Sequence, residues 1–330
     1  MPTISDVAKL AGLSRATVSR VINDHPYVSE EKKELVNEAM KHLGYIPNTH
    51  AQNLRKQKTN IIAVLVPRLS NPFFAYLVES LERNALGTGF QILICNTLYD
   101  KQREINFLNL LKAKQVDGII MTSIENDWKR IQSILLNGPI IFCNEYVTET
   151  NVPTIRLNQK EGAYIGTRHL IQRGHTKIGY CWGGFLSGLS KDRLEGYQKA
   201  MAEQGLDINE NWIFSDAFNS NDGRKVMNTV VKMEDRPTAF FTGSDEVAAG
   251  IISEAKQLGL SVPRDIAVIG FDDQPIAQVV EPPLTTIRQP IEEIGEKTME
   301  IMIDLITNKV KMGVQKVYEL PFKLVVRGSS

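Results

Sequence analysis

Arg15 and Arg20 stand five residues apart in the run Ser14-Arg15-Ala16-Thr17-Val18-Ser19-Arg20-Val21-Ile22-Asn23. A guanidinium is a planar fork of donors that fits guanine O6 and N7, or a phosphate. Ala16 offers only an apolar contact, such as with a thymine methyl, while Thr17 and Ser19 carry hydroxyls that donate or accept. These residue types suit reading base edges rather than breaking bonds. No Ser/His/Asp constellation, phosphate-loop signature or metal-ligand spacing occurs in the chain. His25, His42 and His50 fall in the first fifty residues, and His169 and His175 lie around a helix end. Cys95, Cys143 and Cys181 are far apart in apolar segments and read as reduced core residues. No enzyme, cofactor or metal is expected.

The elements that would carry the arginines are short helices. Residues 3–11 read as a helix capped by Thr3, with Ile4, Val7, Ala8, Leu10 and Ala11 on its apolar face. Gly12 permits a turn with positive φ. Ser14 caps a second helix over 15–22, whose buried face is Val18, Val21 and Ile22. Two short helices across a glycine turn make a helix-turn-helix, and the second enters a major groove with its N-terminal residues toward the bases. Ser29 caps a third helix, with Leu35, Val36, Ala39, Met40 and Leu43 as its inner stripe and Gly44 as its end. The stretch 48–58 has little apolar surface, and an isolated helix this short is marginal in water. It reads as a linker ordered by a partner.

From Ile61 the texture changes. Residues 61–66 form a fully apolar run, as in a parallel strand covered on both faces. Strand-like runs recur at 91–96, 118–122, 140–143, 177–181, 239–242 and 266–271. Helical stretches lie between most of them, at 74–86, 104–114, 162–173, 192–204 and 245–258. The alternation predicts an α/β body of doubly wound parallel sheets, long enough for two lobes. The chain of 330 residues has net charge zero, but residues 1–60 carry +3 and the remainder −3. That division suits a head that touches phosphates and a body that does not. No apolar run reaches the ~18 residues of a membrane span. The N-terminus is polar and acidic, unlike a signal peptide. A cytoplasmic, nucleoid-associated protein is expected.

The run from Thr3 to Ser14, followed by Ala16-Thr17-Val18-Ser19-Arg20-Val21-Ile22-Asn23, closely resembles the headpiece of the lactose-repressor (LacI/GalR) family of bacterial transcription regulators. So does Gly44-Tyr45-Ile46-Pro47-Asn48 followed by Ala51 and Leu54. The resemblance continues through Ser70-Asn71-Pro72-Phe73-Phe74, Val116-Asp117-Gly118-Ile119-Ile120, His169-Leu170-Ile171 with Gly174-His175, and Arg193 before Gly196-Tyr197. It ends with Gly270-Phe271-Asp272-Asp273 and Pro283-Leu284-Thr285-Thr286-Ile287. The chain is thereby identified as a member, from end to end.

The resemblance implies a headpiece at 1–47, a hinge helix and linker at 48–60, and an effector-binding and dimerisation body at 61–330. The body would be periplasmic-binding-protein-like, with an N-lobe at about 61–157 and 289–320 and a C-lobe at about 158–288 and 321–330. Double-stranded, near-palindromic operator DNA is the implied partner. Thr3, Ser14, Tyr45, Asn48 and Gln52 would meet its backbone or minor groove. Arg15, Ala16, Thr17, Ser19, Arg20 and Asn23 would lie at or beside its major groove. Leu54 matches the family's minor-groove wedge, which kinks a central base step. A sugar-type effector would sit between the lobes, against Asn71, Phe73, Phe74, Thr122, Arg193, Ser244 and Asp272. Trp182 suits stacking on a sugar or core packing equally.

Two departures bear on the effector. Ser244-Asp245 stands where many members carry Asn-Asp, and Asn158-Gln159 where many carry Asp-Asn. Maltodextrin-type glucans are one option among sugars, and both inducer and co-repressor readings stay open. The leucine heptad that tetramerises some members has no counterpart after Val326, so a homodimer is expected. A sugar-transport protein would fit the body alone, but would need a signal peptide and no reading head.

Overall fold

The structure, a computed structural model, describes residues 2–23, 25–46, 58–148, 150–183, 187–309 and 316–330. The chain divides into two compact units, Met1–Thr59 and Asn60–Ser330.

In the first unit, α1 (Ile4–Leu10) is closed at its start by a reciprocal cap. Asp6 N donates to Thr3 Oγ1 at 3.4 Å, and Thr3 N donates to Asp6 Oδ2 at 2.8 Å. Gly12 has φ +66°, a turn conformation natural to glycine, and α2 (Arg15–Ile22) begins after it. α3 (Glu30–Leu43) stops at Gly44, φ +61°, with Glu30 and Glu31 in its first turn where the helix dipole favours them. Val7, Ala8, Val18, Val36 and Ala39 are buried together, flanked by Ile4, Leu13, Val21, Met40 and Tyr45. Leu35 departs from the expected inner stripe and is 42% exposed. It lies one residue, about 100° around the helix, from fully buried Val36, and only one of the two can face so small a core.

The second unit holds two six-stranded sheets. The first is built from β1 (Ile61–Val66), β2 (Gln91–Asn96), β3 (Gly118–Met121), β4 (Ile140–Cys143), β5 (Thr154–Leu157) and β11 (Val317–Leu320). Its order is β11-β5-β4-β3-β1-β2, and every neighbouring pair is parallel. The second comprises β6 (Ile178–Cys181), β7 (Ile213–Phe214), β8 (Ala239–Thr242), β9 (Ala267–Asp272), β10 (Thr285–Arg288) and β12 (Lys323–Val325). It runs β12-β10-β9-β8-β6-β7, parallel except for antiparallel β12 against β10.

Each sheet has an apolar layer on both faces, as the wholly apolar strands require. The chain changes sheets between β5 and β6, between β10 and β11, and between β11 and β12. α4 (Pro72–Ala85) and α12 (Ile291–Ile306) cover the same face of the first sheet. In the second lobe, α7 (Gln159–Gln172) and α8 (Gly188–Glu203) cross closely at Gly196, where a Cβ would lie 2.1 Å from Lys160 O. That crossing fixes the helix that carries Arg193. The three cysteines are buried and free, and no helix among the described residues is long and apolar enough to cross a membrane.

Candidate functional site

The exposed side of α2 carries Arg15, Ala16 and Arg20, while Val18 opposite is fully buried. At about 100° per residue, Arg15, Ser19, Ala16 and Arg20 fall within an arc of about 140°. Ser14 Oγ accepts from Thr17 N at 3.1 Å and pairs with Thr17 Oγ1 at 2.9 Å, so both hydroxyls organise the helix start. Asn23 Nδ2 donates to Ser19 O at 2.6 Å and closes the helix end. Thr3 Oγ1 donates to Asp6 Oδ2 at 2.7 Å, and those bonds from Thr3 hold the Asp6 carboxyl below its ordinary range. Tyr45 is half-buried against the headpiece core. Asn48, Gln52 and Leu54 lie outside the described residues.

In the second unit a cavity of about 340 Å³ opens between the two sheets, within the range of small-molecule sites. Its walls come from beyond the carboxyl ends of strands in both sheets, where open α/β sheets bind ligands. Pro67 follows β1, Tyr99 follows β2, Thr122 and Ser123 follow β3, and Asn144 and Glu145 follow β4. From the other sheet come Trp182 after β6, Gly243 and Ser244 after β8, Asp272 at the end of β9, and Gln289 after β10. Asp272 belongs to the strand itself, one residue beyond the expected strand end at 271.

Arg193 is the fixed cation of this cavity, only 7% exposed. Its Nε donates to Gln159 Oε1 at 2.9 Å, its Nη1 donates to Gly243 O at 2.9 Å, and the guanidinium lies over the Phe271 ring. Asp272 is 5% exposed and accepts from Gln289 Nε2 at 2.5 Å and Gln274 Nε2 at 3.0 Å. Burial pushes its carboxyl up to about 6, and Arg193 opposes that rise. Its φ is +107°, a region that favours glycine, so the strand end is strained. Asp273 beside it, φ +59°, is pinned by Arg288 and Arg327, each at 2.6 Å. Beneath lies Asp245, accepting from Gln274 N at 2.6 Å and Thr286 Oγ1 at 2.5 Å. Burial, and then the Asp272 charge, raise its carboxyl well above the usual range.

All seven residues expected at the effector line this cavity, but four of them are committed elsewhere. Asn71 Oδ1 caps α4 by accepting from Phe73 N at 3.0 Å. Phe73 is buried in the first lobe's core, edge-on to half-buried Phe74. Thr122 Oγ1 donates to Leu65 O at 2.9 Å. Ser244 Oγ caps α10 (Asp245–Gln257) through Val247 N at 3.4 Å. Arg193 and Asp272 are the two charged groups among the seven, both nearly buried and each held by two neighbours, and Phe74 is half-buried. Trp182 lines the cavity, and its Nε1 has no hydrogen-bond partner among the described residues.

Several lining residues escaped the sequence reading: Tyr99, Glu125, Glu145, Phe218 and Gln289. All five lie one to four residues past a strand end, and that position was the signal available. Glu145 Oε1 accepts from Tyr146 N at 3.0 Å and from Leu189 N of α8 at 3.1 Å, linking the lobes. Tyr146 Oη adds a second link by donating to Asp192 Oδ1 at 2.7 Å. Among the described residues no group of His, Cys, Asp and Glu could hold a metal ion.

A helix-turn-helix unit joined in one chain to a two-sheet body with a cleft at its strand ends is the architecture of a transcription regulator. Residues 3–48 match the model described as bacterial regulatory proteins, lacI family, and residues 167–330 match a periplasmic binding protein-like domain. The chain is 44% identical over 330 residues to the NTD biosynthesis operon regulator NtdR of Bacillus subtilis (strain 168), covering 100% of both chains. A crystal structure of the lac repressor dimer bound to operator and the anti-inducer ONPF matches with a TM-score of 0.87 and 26% identity, over 99% of this chain and 98% of that one. A LacI family regulator from Lactobacillus casei with bound sucrose matches with a TM-score of 0.75 and 30% identity, over 82% and 99%. The chain belongs to the lacI family of bacterial regulatory proteins. It is a DNA-binding transcription regulator, not an enzyme.

Proposed function

We propose that this regulator is a homodimeric repressor of carbohydrate-utilisation genes. In this reading a sugar-type molecule in the cleft sets its affinity for a near-palindromic operator. The observation that carries the proposal is the convergence of two buried, opposite charges, Arg193 and Asp272, on one cavity. A charged donor and a charged acceptor fixed by neighbours are what vicinal hydroxyls need. Phe74, Tyr99 and Trp182 supply aromatic walls. The sucrose held by the Lactobacillus casei regulator supports the ligand class.

Residues 1–47 are then the reading head, 48–60 the coupling segment and 61–330 the receiver. Arg15, Ala16 and Arg20 take the major-groove edges, and Leu54 the minor-groove wedge. A two-fold protein demands a two-fold site. The protein works in the cytoplasm, on the nucleoid, away from membranes. Ligand and operator are linked by one coupling free energy of about 1–3 kcal/mol, equal in both directions.

The test is a gel shift with DNA from upstream of the protein's own gene, at several salt concentrations and with and without sugars. Specific binding that survives competitor DNA and changes with a sugar supports the reading. Binding that vanishes with modest salt would mean phosphate attraction alone.

A further inference from the structure

The first-lobe wall of the cleft carries two carboxylates, Glu125 and Glu145, and neither is in an ion pair among the described residues. They differ in their commitments. Glu145 Oε1 is occupied by two backbone N–H groups, and Arg193 acts on its charge. Glu125 is held at its backbone, where its own N–H donates to Glu104 Oε2 at 2.7 Å, and the residue lines the cavity. Glu104 is itself fully buried and held by Asn126 N and Nδ2, so it adds a third negative charge behind the wall.

Among the described residues, the cations at the cavity do not pair with this charge. Arg193 is bound to Gln159 and Gly243 and faces Asp272. Lys101 lines the cavity and only weakly offsets Glu125. Burial first, and then Glu104, push the Glu125 carboxyl up to about 7. One buried acceptor at the cavity also awaits a partner among the described residues. Gln289 Oε1, in a residue 4% exposed, has no hydrogen-bond partner among the described residues. The buried Ser123 hydroxyl lies against Glu125 and favours its carboxylate form.

A neutral polyol entering here would strip water from Glu125 and return no charge, which is costly for a carboxylate. An ammonium returns both the charge and three donors. We propose that the wall formed by Glu125, Glu145 and Ser123 is a subsite for a primary ammonium, so the effector is an amine-bearing saccharide. This rests on the reading of the cleft as the effector site, and it narrows the ligand class. Arg193 and Asp272 take the ring hydroxyls, and Glu125 takes the amine.

The test uses matched saccharides on the full-length protein by calorimetry at pH 7.5. Glucosamine is compared with glucose and N-acetylglucosamine, and the β-1,4 diglucosamine disaccharide with cellobiose and N,N′-diacetylchitobiose. The free amine in at least one series should bind roughly ten- to a hundredfold more tightly than its neutral partners. In Glu125→Gln, checked to melt no lower than wild type at this pH, that preference should fall to under about threefold while residual sugar binding stays. Neutral sugars binding as well as amines overturn the proposal, as does silence of every amine at 10 mM or a preference that survives in Glu125→Gln. Failure of the underlying reading has another signature: ligand binding that is unchanged in Asp272→Asn places the ligand outside the cleft.

Discussion

The Arg193 guanidinium carbon lies 3.5 Å from the centroid of the Phe271 ring, the residue that precedes Asp272 in β9. The ring face fixes the plane of the guanidinium, and Gln159 and Gly243 fix its rotation. The second lobe therefore holds a preset donor, and Phe271 couples its position to the acceptor next in sequence.

Replacing this arginine by lysine tests the fork and the stack together. Lysine keeps the charge but cannot stack in the same plane or bond Gln159 and Gly243 at once. Arg193→Lys should weaken effector binding by at least about tenfold, with ligand-free operator affinity within about twofold of wild type. Calorimetry and fluorescence anisotropy on one preparation check both numbers.

Gly270 in β9 tests the packing under the site. A Cβ there would lie 2.1 Å from Asp245 Oδ1 and 2.8 Å from Leu284 Cδ2. Asp245 cannot retreat, being bonded to Gln274 N and Thr286 Oγ1. Gly270→Ala should cost the body about 1–3 kcal/mol by overpacking, read from urea unfolding.

Much of this was legible in the sequence, and what was not has local causes. The first two headpiece helices follow from caps within three residues, Thr3 with Asp6 and Ser14 with Thr17, whereas the cap expected of Ser29 is not made: its side chain forms no cap hydrogen bond, and α3 starts there without one. The runs at β1, β2, β4 and β8 are apolar enough to stand out, and the structure starts and ends them where the residues change. β5 was missed because Arg156 interrupts a four-residue strand. α9 (Ser220–Val230) was missed because Gly223 and the polar Asn and Asp residues dilute its pattern to three buried apolar positions, Val226, Met227 and Val230. Arg193 and Asp272 were singled out through family resemblance. Glu145 was not, because its role depends on Leu189 N, 44 residues away, which only the folded lobes bring near.

The recognition helix gives a prediction independent of the cleft. Arg20 is exposed and makes no contact that the headpiece core needs. Arg20→Ala should cost about 1–3 kcal/mol of operator binding and relax specificity at one base pair, while the thermal melt stays unchanged. Ser14→Ala differs in kind: losing the cap to Thr17 N should destabilise the headpiece itself by about 1 kcal/mol.

Glu125 gives a pH signature. Its folded-state carboxyl is raised from 4.5 to about 7, by burial first and Glu104 second. The folded state therefore holds this proton more tightly than the unfolded chain. The stability it contributes is fully present below about pH 4.5 and is lost as the pH rises through about 7. Glu125→Gln imitates the protonated form at every pH. It should match wild type near pH 4.5 and exceed it above pH 7, by about 1–2 kcal/mol after solvent screening of a partly exposed group. Denaturant melts from pH 4.5 to 8 would show the gap opening in that direction.

The central claim is that a ligand in the cleft and DNA at the headpiece are thermodynamically linked. It is tested most directly by the operator Kd of the full-length protein, measured by anisotropy with and without a saturating cleft ligand. Wild type should shift by roughly 5- to 150-fold, and Arg193→Ala at the same ligand concentration by less than about twofold. An operator Kd that ignores the ligand in wild type, or shifts equally in both proteins, would contradict the account.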